Sequence, residues 1–170
     1  WAKGMVLYDP RLIELQKEYA RKLLTHVNPY TGKSYRDETS VAIVEILNEN
    51  GLWVGFTGPA YYDAELTAQY NRWVERTLTP AEQQRLREIT GAAAGMPIPR
   101  LKGNEVGAAP KERFDAETRF IVDAESGFYT GMASFLRDSL GVRVPITGTA
   151  DHGHSSSSYP MLMSLSKLDI

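Results

Sequence analysis

Val41, Ala42, Ile43, Val44, Glu45, Ile46 and Leu47 form an almost continuous apolar run that opens after Asp37-Glu38-Thr39-Ser40 and closes on Asn48-Glu49-Asn50-Gly51. Seven residues rich in β-branched side chains are too short for a buried helix, and a run without polar alternation predicts a strand covered on both faces. Strands of that kind belong to parallel α/β sheets, in which ligands meet the chain at the carboxyl ends of the strands. Glu49 therefore stands where an acid or base would stand, with Asn48 and Asn50 beside it as hydrogen-bonding groups for a polar ligand. The plain alternative is a solvated glutamate in a loop.

The rest of the chain reads as helices around a second strand. Asp9 is a natural N-cap with Pro10 in the first helical position, and Leu12, Ile13, Tyr19, Ala20, Leu23, Leu24 and Val27 share one face, so a helix is predicted to end near Val27. A second helix is predicted over 62–78, with Leu66, Tyr70, Trp73 and Val74 inward; its aromatics read as packing groups. Thr79-Pro80-Ala81-Glu82 is a capping-box pattern that opens a third helix over about 80–89. Residues 91–111 are rich in Gly, Pro and Ala and are expected to form a mobile excursion. A long helix is predicted over 115–140, where Phe120, Ile121, Ala124, Phe128, Met132, Phe135 and Leu136 recur at helical spacing and Gly141 closes the end. The second strand, 143–149, runs into Asp151-His152-Gly153-His154 and four serines. A right-handed crossover makes the two strands parallel neighbours, which brings Glu49 and Asp151 to one edge. Residues 1–170 are thus expected to form a single domain.

Charge and composition exclude some partners. Nineteen basic and twenty-one acidic residues give a net charge of −2. That balance provides no footprint for a polyanion, so no nucleic-acid partner is expected. The chain has no cysteine, which excludes disulfides and thiolate metal sites but fits several compartments, so localisation stays open. No apolar run reaches the ~18 residues of a membrane span, and no membrane partner is expected. The amino terminus lacks a signal-peptide pattern, and Trp1 in place of Met suggests a start inside a longer reading frame or after processing.

Two stretches carry a resemblance. Leu24-Thr25-His26-Val27-Asn28-Pro29-Tyr30-Thr31-Gly32 followed by the run ending in Asn48-Glu49-Asn50, and Phe135-Leu136-Arg137-Asp138-Ser139-Leu140-Gly141-Val142 leading into Val144-Pro145-Ile146-Thr147-Gly148-Thr149, resemble the clan-A glycoside hydrolases. The resemblance is to bacterial cellulase-like (β/α)8 proteins whose fourth strand ends in Asn-Glu-Asn, and it covers most of residues 5–60 and 112–170. It implies an α/β fold, a partial TIM barrel, helix-rich, from the helix before strand 4 to the start of strand 6 at residues 168–170. A whole barrel takes ~250 residues. It further implies O-glycosyl hydrolysis of the retaining acid/base type, with Glu49 as general acid/base, Asn48 on the sugar hydroxyl next to the reacting carbon, and Asp151 and His152 in a loop above the sugar. Neither cofactor nor metal is implied. Glu45, on the same strand face, is a neighbour able to raise the Glu49 pKa. The family's nucleophile lies on a seventh strand, so this chain is expected to carry half of a catalytic centre. Open sheet edges and helix faces then predict a homo-oligomer.

Other readings of the same residues stand beside this one. A partner copy could complete the site across an interface, or Asp151 could pair with Glu49 within one chain, since adjacent strands lie ~4.8 Å apart. Asp151, His152 and His154 offer three metal-ligand types without an identifiable fourth. Gly153-His154-Ser155-Ser156-Ser157 approximates the nucleophile elbow of Ser-His-Asp hydrolases, with Ser in place of the final Gly. Tyr159 could stack on a sugar or simply pack. The non-catalytic alternative is a carbohydrate-binding or structural fragment.

Overall fold

The structure is a computed structural model that describes residues 3–52, 59–149 and 159–170. Helix α1 spans Pro10–Thr25, and the Asp9 carboxylate caps it by accepting the Leu12 amide at 2.8 Å. Helix α2 spans Ala60–Thr77 and α3 spans Pro80–Thr90. The capping box is formed at α3: Thr79 Oγ1 accepts the Glu82 amide at 3.3 Å while Glu82 accepts the Thr79 amide at 2.7 Å. Helix α4 spans Lys111–Ser134 and continues as a π-type turn over Phe135–Ser139. Gly141, at φ 68°, ends it by donating its amide to the Arg137 carbonyl, a left-handed conformation that glycine adopts without steric cost. A short helix α5 spans Tyr159–Leu165.

Helix α4 is the centre of the molecule. Its buried residues include Ala116, Glu117, Phe120, Ile121, Glu125, Phe128, Tyr129 and Met132, which at 100° per residue lie around most of its circumference. A helix covered on several sides is a core helix, whereas a helix on the outside of a barrel buries a single stripe. Tyr70 and Trp73 of α2 pack edge-on against Phe120, with ring centroids 5.3 and 5.9 Å apart. These aromatics are core groups, as their helical spacing predicts.

Residues 91–111, read from the sequence as a mobile excursion, contribute to this core. Ile98 and Leu101 are buried, and the Asn71 side-chain amide pairs with both backbone groups of Ile98, at 2.7 and 3.0 Å. Between them Arg100 enters the interior. Its Nε donates to Glu117 at 2.8 Å, its guanidinium lies 5.7 Å from the Phe120 ring centroid, and the other Glu117 oxygen accepts the Leu101 amide at 3.2 Å. Arg113 then fastens the Arg100 carbonyl at 3.1 Å. Low hydrophobicity and many Gly residues hid this from the sequence, because what holds the segment is polar.

The expected partial barrel is not present. Among the described residues the sheet consists of β1, Val44–Glu45, and β2, Ile146–Thr147, parallel and adjacent with Val44 opposite Ile146. Ile43 and Glu45 are exposed and Val44, Ile46 and Leu47 only half-buried, so the apolar run is not covered on both faces. Residues 168–170 form no strand. The Asp169 carboxylate instead accepts the Ile146 amide at 2.8 Å and pairs with Arg137, occupying the edge of β2 where a third strand would bond. Its carboxyl stays below the usual range chiefly through that amide. The chain buries its apolar surface between helices, and two short strands are sufficient to join their ends.

Breaking the Arg100–Glu117 pair leaves a buried carboxylate without its cation, a loss on the order of 3–5 kcal/mol. Arg100→Met should therefore lower the thermal midpoint by about 10 °C at ~2–4 °C per kcal/mol. Circular dichroism melting at neutral pH measures this, and a shift of less than about 2 °C would contradict the stabilising role of the pair.

Candidate functional site at the end of the strand pair

Pairing between the strands continues past their formal ends, with the Ile46 amide donating to Thr147 O at 3.0 Å and the Leu47 amide to Gly148 O at 2.9 Å. The carboxyl ends of both strands therefore leave the sheet side by side. Gly148 lies against the Leu165 side chain: a Cβ there would meet Leu165 Cδ2 at 2.1 Å, so any side chain at this position would require Leu165 to move. Asn48 is exposed at the turn, Glu49 is half-buried, and Asn50 is buried.

Glu49 has φ 49°, the left-handed region, and is the non-glycine residue with positive φ among those described. Such a conformation is costly for a side chain with a Cβ and persists where the surroundings over-determine it. Here the next residue is locked. The Asn50 amide donates to Thr149 Oγ1 at 3.2 Å, its Nδ2 donates to the Lys3 carbonyl at 3.0 Å, and its carbonyl accepts the Tyr129 hydroxyl at 3.1 Å. Asn50, read from the sequence as a substrate ligand, thus commits its side-chain donor to the amino-terminal turn Lys3–Leu7. Thr149, which the sequence reading passed over, ties the two strand ends together. Asp151 and His152 lie outside the described residues, as do His154 and the serine run. Glu45, proposed as a neighbour of Glu49, is exposed, and its charge contributes to raising the Tyr129 pKa. Among the described residues no cluster of three His, Cys, Asp or Glu side chains could hold a metal.

Beneath this turn lies a carboxyl group the sequence reading missed. Glu125 of α4 is fully buried, and its Oε1 accepts the Leu52 amide at 2.6 Å. Its Oε2 makes no hydrogen bond of normal geometry among the described residues, and the Ser164 hydroxyl beside it, which donates to the Pro160 carbonyl at 2.9 Å, joins the Leu52 amide in opposing the rise of its pKa. Burial pushes the Glu125 pKa up to about 7, against the opposing pull of the Leu52 amide. Tyr129, four residues on along α4 and also enclosed, is raised well above the ordinary tyrosine range by burial and by the Glu125 charge. The signal was present in the sequence: Glu117 and Glu125 fall on the apolar rows with Ile121, Phe128 and Met132, where an unpaired acid is expensive to bury.

Half-buried Glu49 at the turn and fully buried Glu125 of α4 beneath it are therefore carboxyl groups in contrasting settings. No protein-family profile, curated protein or solved structure matches this chain.

The sign of the Glu125 effect on stability is fixed by its raised pKa. In the unfolded chain the group ionises near 4.5, so between there and about 7 the folded state holds more protons. Its stability contribution is complete below pH 4.5 and is lost as pH rises through 7, a loss on the order of 3 kcal/mol at ~1.4 kcal/mol per unit. Glu125→Gln keeps an acceptor for the Leu52 amide and removes the ionisation. It should melt close to the wild type at pH 4.5 and clearly above it at pH 8; equal pH profiles for the two proteins would refute the assignment.

Proposed function

We propose that the carboxyl edge of the strand pair is a carbohydrate site, with Glu49 as the general acid/base of O-glycosyl hydrolysis and Asn48 as a ligand for a sugar hydroxyl. The observation that carries this reading is the strained, locked placement of Glu49 between exposed Asn48 and anchored Asn50 where two parallel strands end. Backbone strain held in place by surrounding bonds is a mark of preorganised sites. A glycosidase needs one carboxyl group that delivers a proton to the leaving oxygen and a second that attacks the sugar or activates water. Glu49 has the exposure to meet a ligand. Glu125, wholly enclosed, does not reach a sugar and serves to hold the Leu52 end of the turn. The described residues then supply the acid/base half of a centre, and this chain by itself binds sugar while hydrolysing it weakly or not at all.

A panel of β-linked oligosaccharides and aryl β-glycosides, followed by calorimetry and by product release, tests this. Wild-type protein should bind at least one member of the panel. Asn48→Ala should weaken that binding about tenfold, the ~1.4 kcal/mol of one lost hydrogen bond. Any hydrolysis should fall by about 10²-fold or more in Glu49→Gln while binding persists, as for loss of a general acid. Absence of binding to every member at millimolar concentration would overturn the proposal.

A further inference from the structure

The edge of β2 that faces away from β1 is closed by side chains in place of a strand. The Pro145 and Thr147 carbonyls accept the Val44 and Ile46 amides, at 3.0 Å each, so the backbone groups of Val144 and Ile146 point to the other side. Edges of this kind pair with extended segments of other chains, and a proline is one common means of blunting them. Pro145 does not serve here, because its own backbone faces β1. Two side chains from other parts of the sequence do. The π-type turn Phe135–Ser139 ends with the Gly141 amide on the Arg137 carbonyl and the Val142 amide on the Leu136 carbonyl, a reversal that lays Arg137 back over the residues that follow. Its Nη1 donates to the Val142 and Val144 carbonyls, at 2.8 Å each, and its Nη2 pairs with Asp169. The same Asp169 oxygen accepts the Ile146 amide at 2.8 Å. Guanidinium donors on carbonyls and a carboxylate acceptor on an amide supply what a neighbouring strand would offer.

Stability alone does not account for this arrangement. The Arg137 and Asp169 side chains are 32 and 45 % exposed, and an ion pair so open to water contributes little to holding a fold together. What the pair does cover is backbone that would otherwise recruit another strand. We infer that Arg137 and Asp169 act as a cap that keeps the edge of β2 from pairing with a second copy of this chain. A second copy is the extended segment that the protein meets at every concentration. The stretch beneath the cap favours such pairing, since Val142, Val144, Ile146 and Thr147 are β-branched, the residue type that fits strands best. The cap operates at the far edge of β2 from β1 and is independent of the sugar site.

Sedimentation velocity on the full 170-residue chain tests this between about 1 and 100 µM, the range in which unpaired strand edges associate. At the upper end Asp169→Ala should have at least about twice the mass of the wild type at the same concentration, with an unchanged circular dichroism spectrum when dilute. Asp169→Asn carries the same net charge as Asp169→Ala but keeps an oxygen for the Ile146 amide, so it should sediment as the wild type does. Arg137→Met, which bares the Val142 and Val144 carbonyls, should associate as well, and it decides the matter if Asp169→Ala does not fold. Hydrogen exchange at the Ile146 amide of Asp169→Ala should be faster than in the wild type at about 1 µM and slow again at about 100 µM, where another copy covers the edge. Wild-type mass at the upper concentration in either folded variant that removes the cap, or association of Asp169→Asn as strong as that of Asp169→Ala, would overturn the inference.

Discussion

Two carboxylates buried on one helix organise this molecule. Glu117 and Glu125 are eight residues apart on α4, about 12 Å along its axis, and each accepts the backbone amide of a leucine from an irregular segment, Leu101 in one case and Leu52 in the other. Irregular segments carry amides that no ladder satisfies, and burying them is costly unless a side chain receives them. A central helix with inward acids solves that for both segments at once. The packing of Ile98 and Leu101, and the course of the chain after β1, follow from it.

The two acids differ in what compensates their charge. Glu117 faces the Arg100 guanidinium and so has a cation within hydrogen-bond distance in a dry environment, where removing either partner is far worse than having neither. Glu125 has no such cation, and burial raises its pKa to about neutrality. One segment is therefore held by a buried ion pair, while the turn that carries Glu49 rests on a carboxyl group whose pKa burial has raised to about 7. Asn50, bonded on its amide, side chain and carbonyl, separately anchors the residue that follows the left-handed Glu49.

Much of the local structure was legible. Asp9-Pro10, Thr79-Pro80-Ala81-Glu82 and Gly141 mark helix ends through side-chain oxygens, a preset φ and a tolerated positive φ, all of which act over a few residues. The adjacency of the two strands also follows from local rules, since a helical crossover of this kind gives parallel neighbours. The barrel did not follow. An apolar run of seven residues shows that a segment is to be buried, but not whether helices or further strands cover it, and here α4 claims the centre that strands would have filled. Glu125 was less legible for a related reason: helical spacing reveals a buried row through its apolar members, and an acid on that row carries no apolar signal.

The sequence by itself determined the capped starts of α1 and α3, the stop at Gly141, and that the chain offers an Asn-Glu-Asn turn beside a second strand end, because each of these depends on steric and hydrogen-bonding preferences within a few residues. Tertiary structure alone decided that among the described residues two strands suffice, that Asp169 closes the edge of β2, that Arg100 turns inward, and that Glu49 is held in a left-handed conformation above the buried Glu125. Those outcomes rest on which groups meet across long stretches of chain, where burial of a charge or an amide outweighs any local preference.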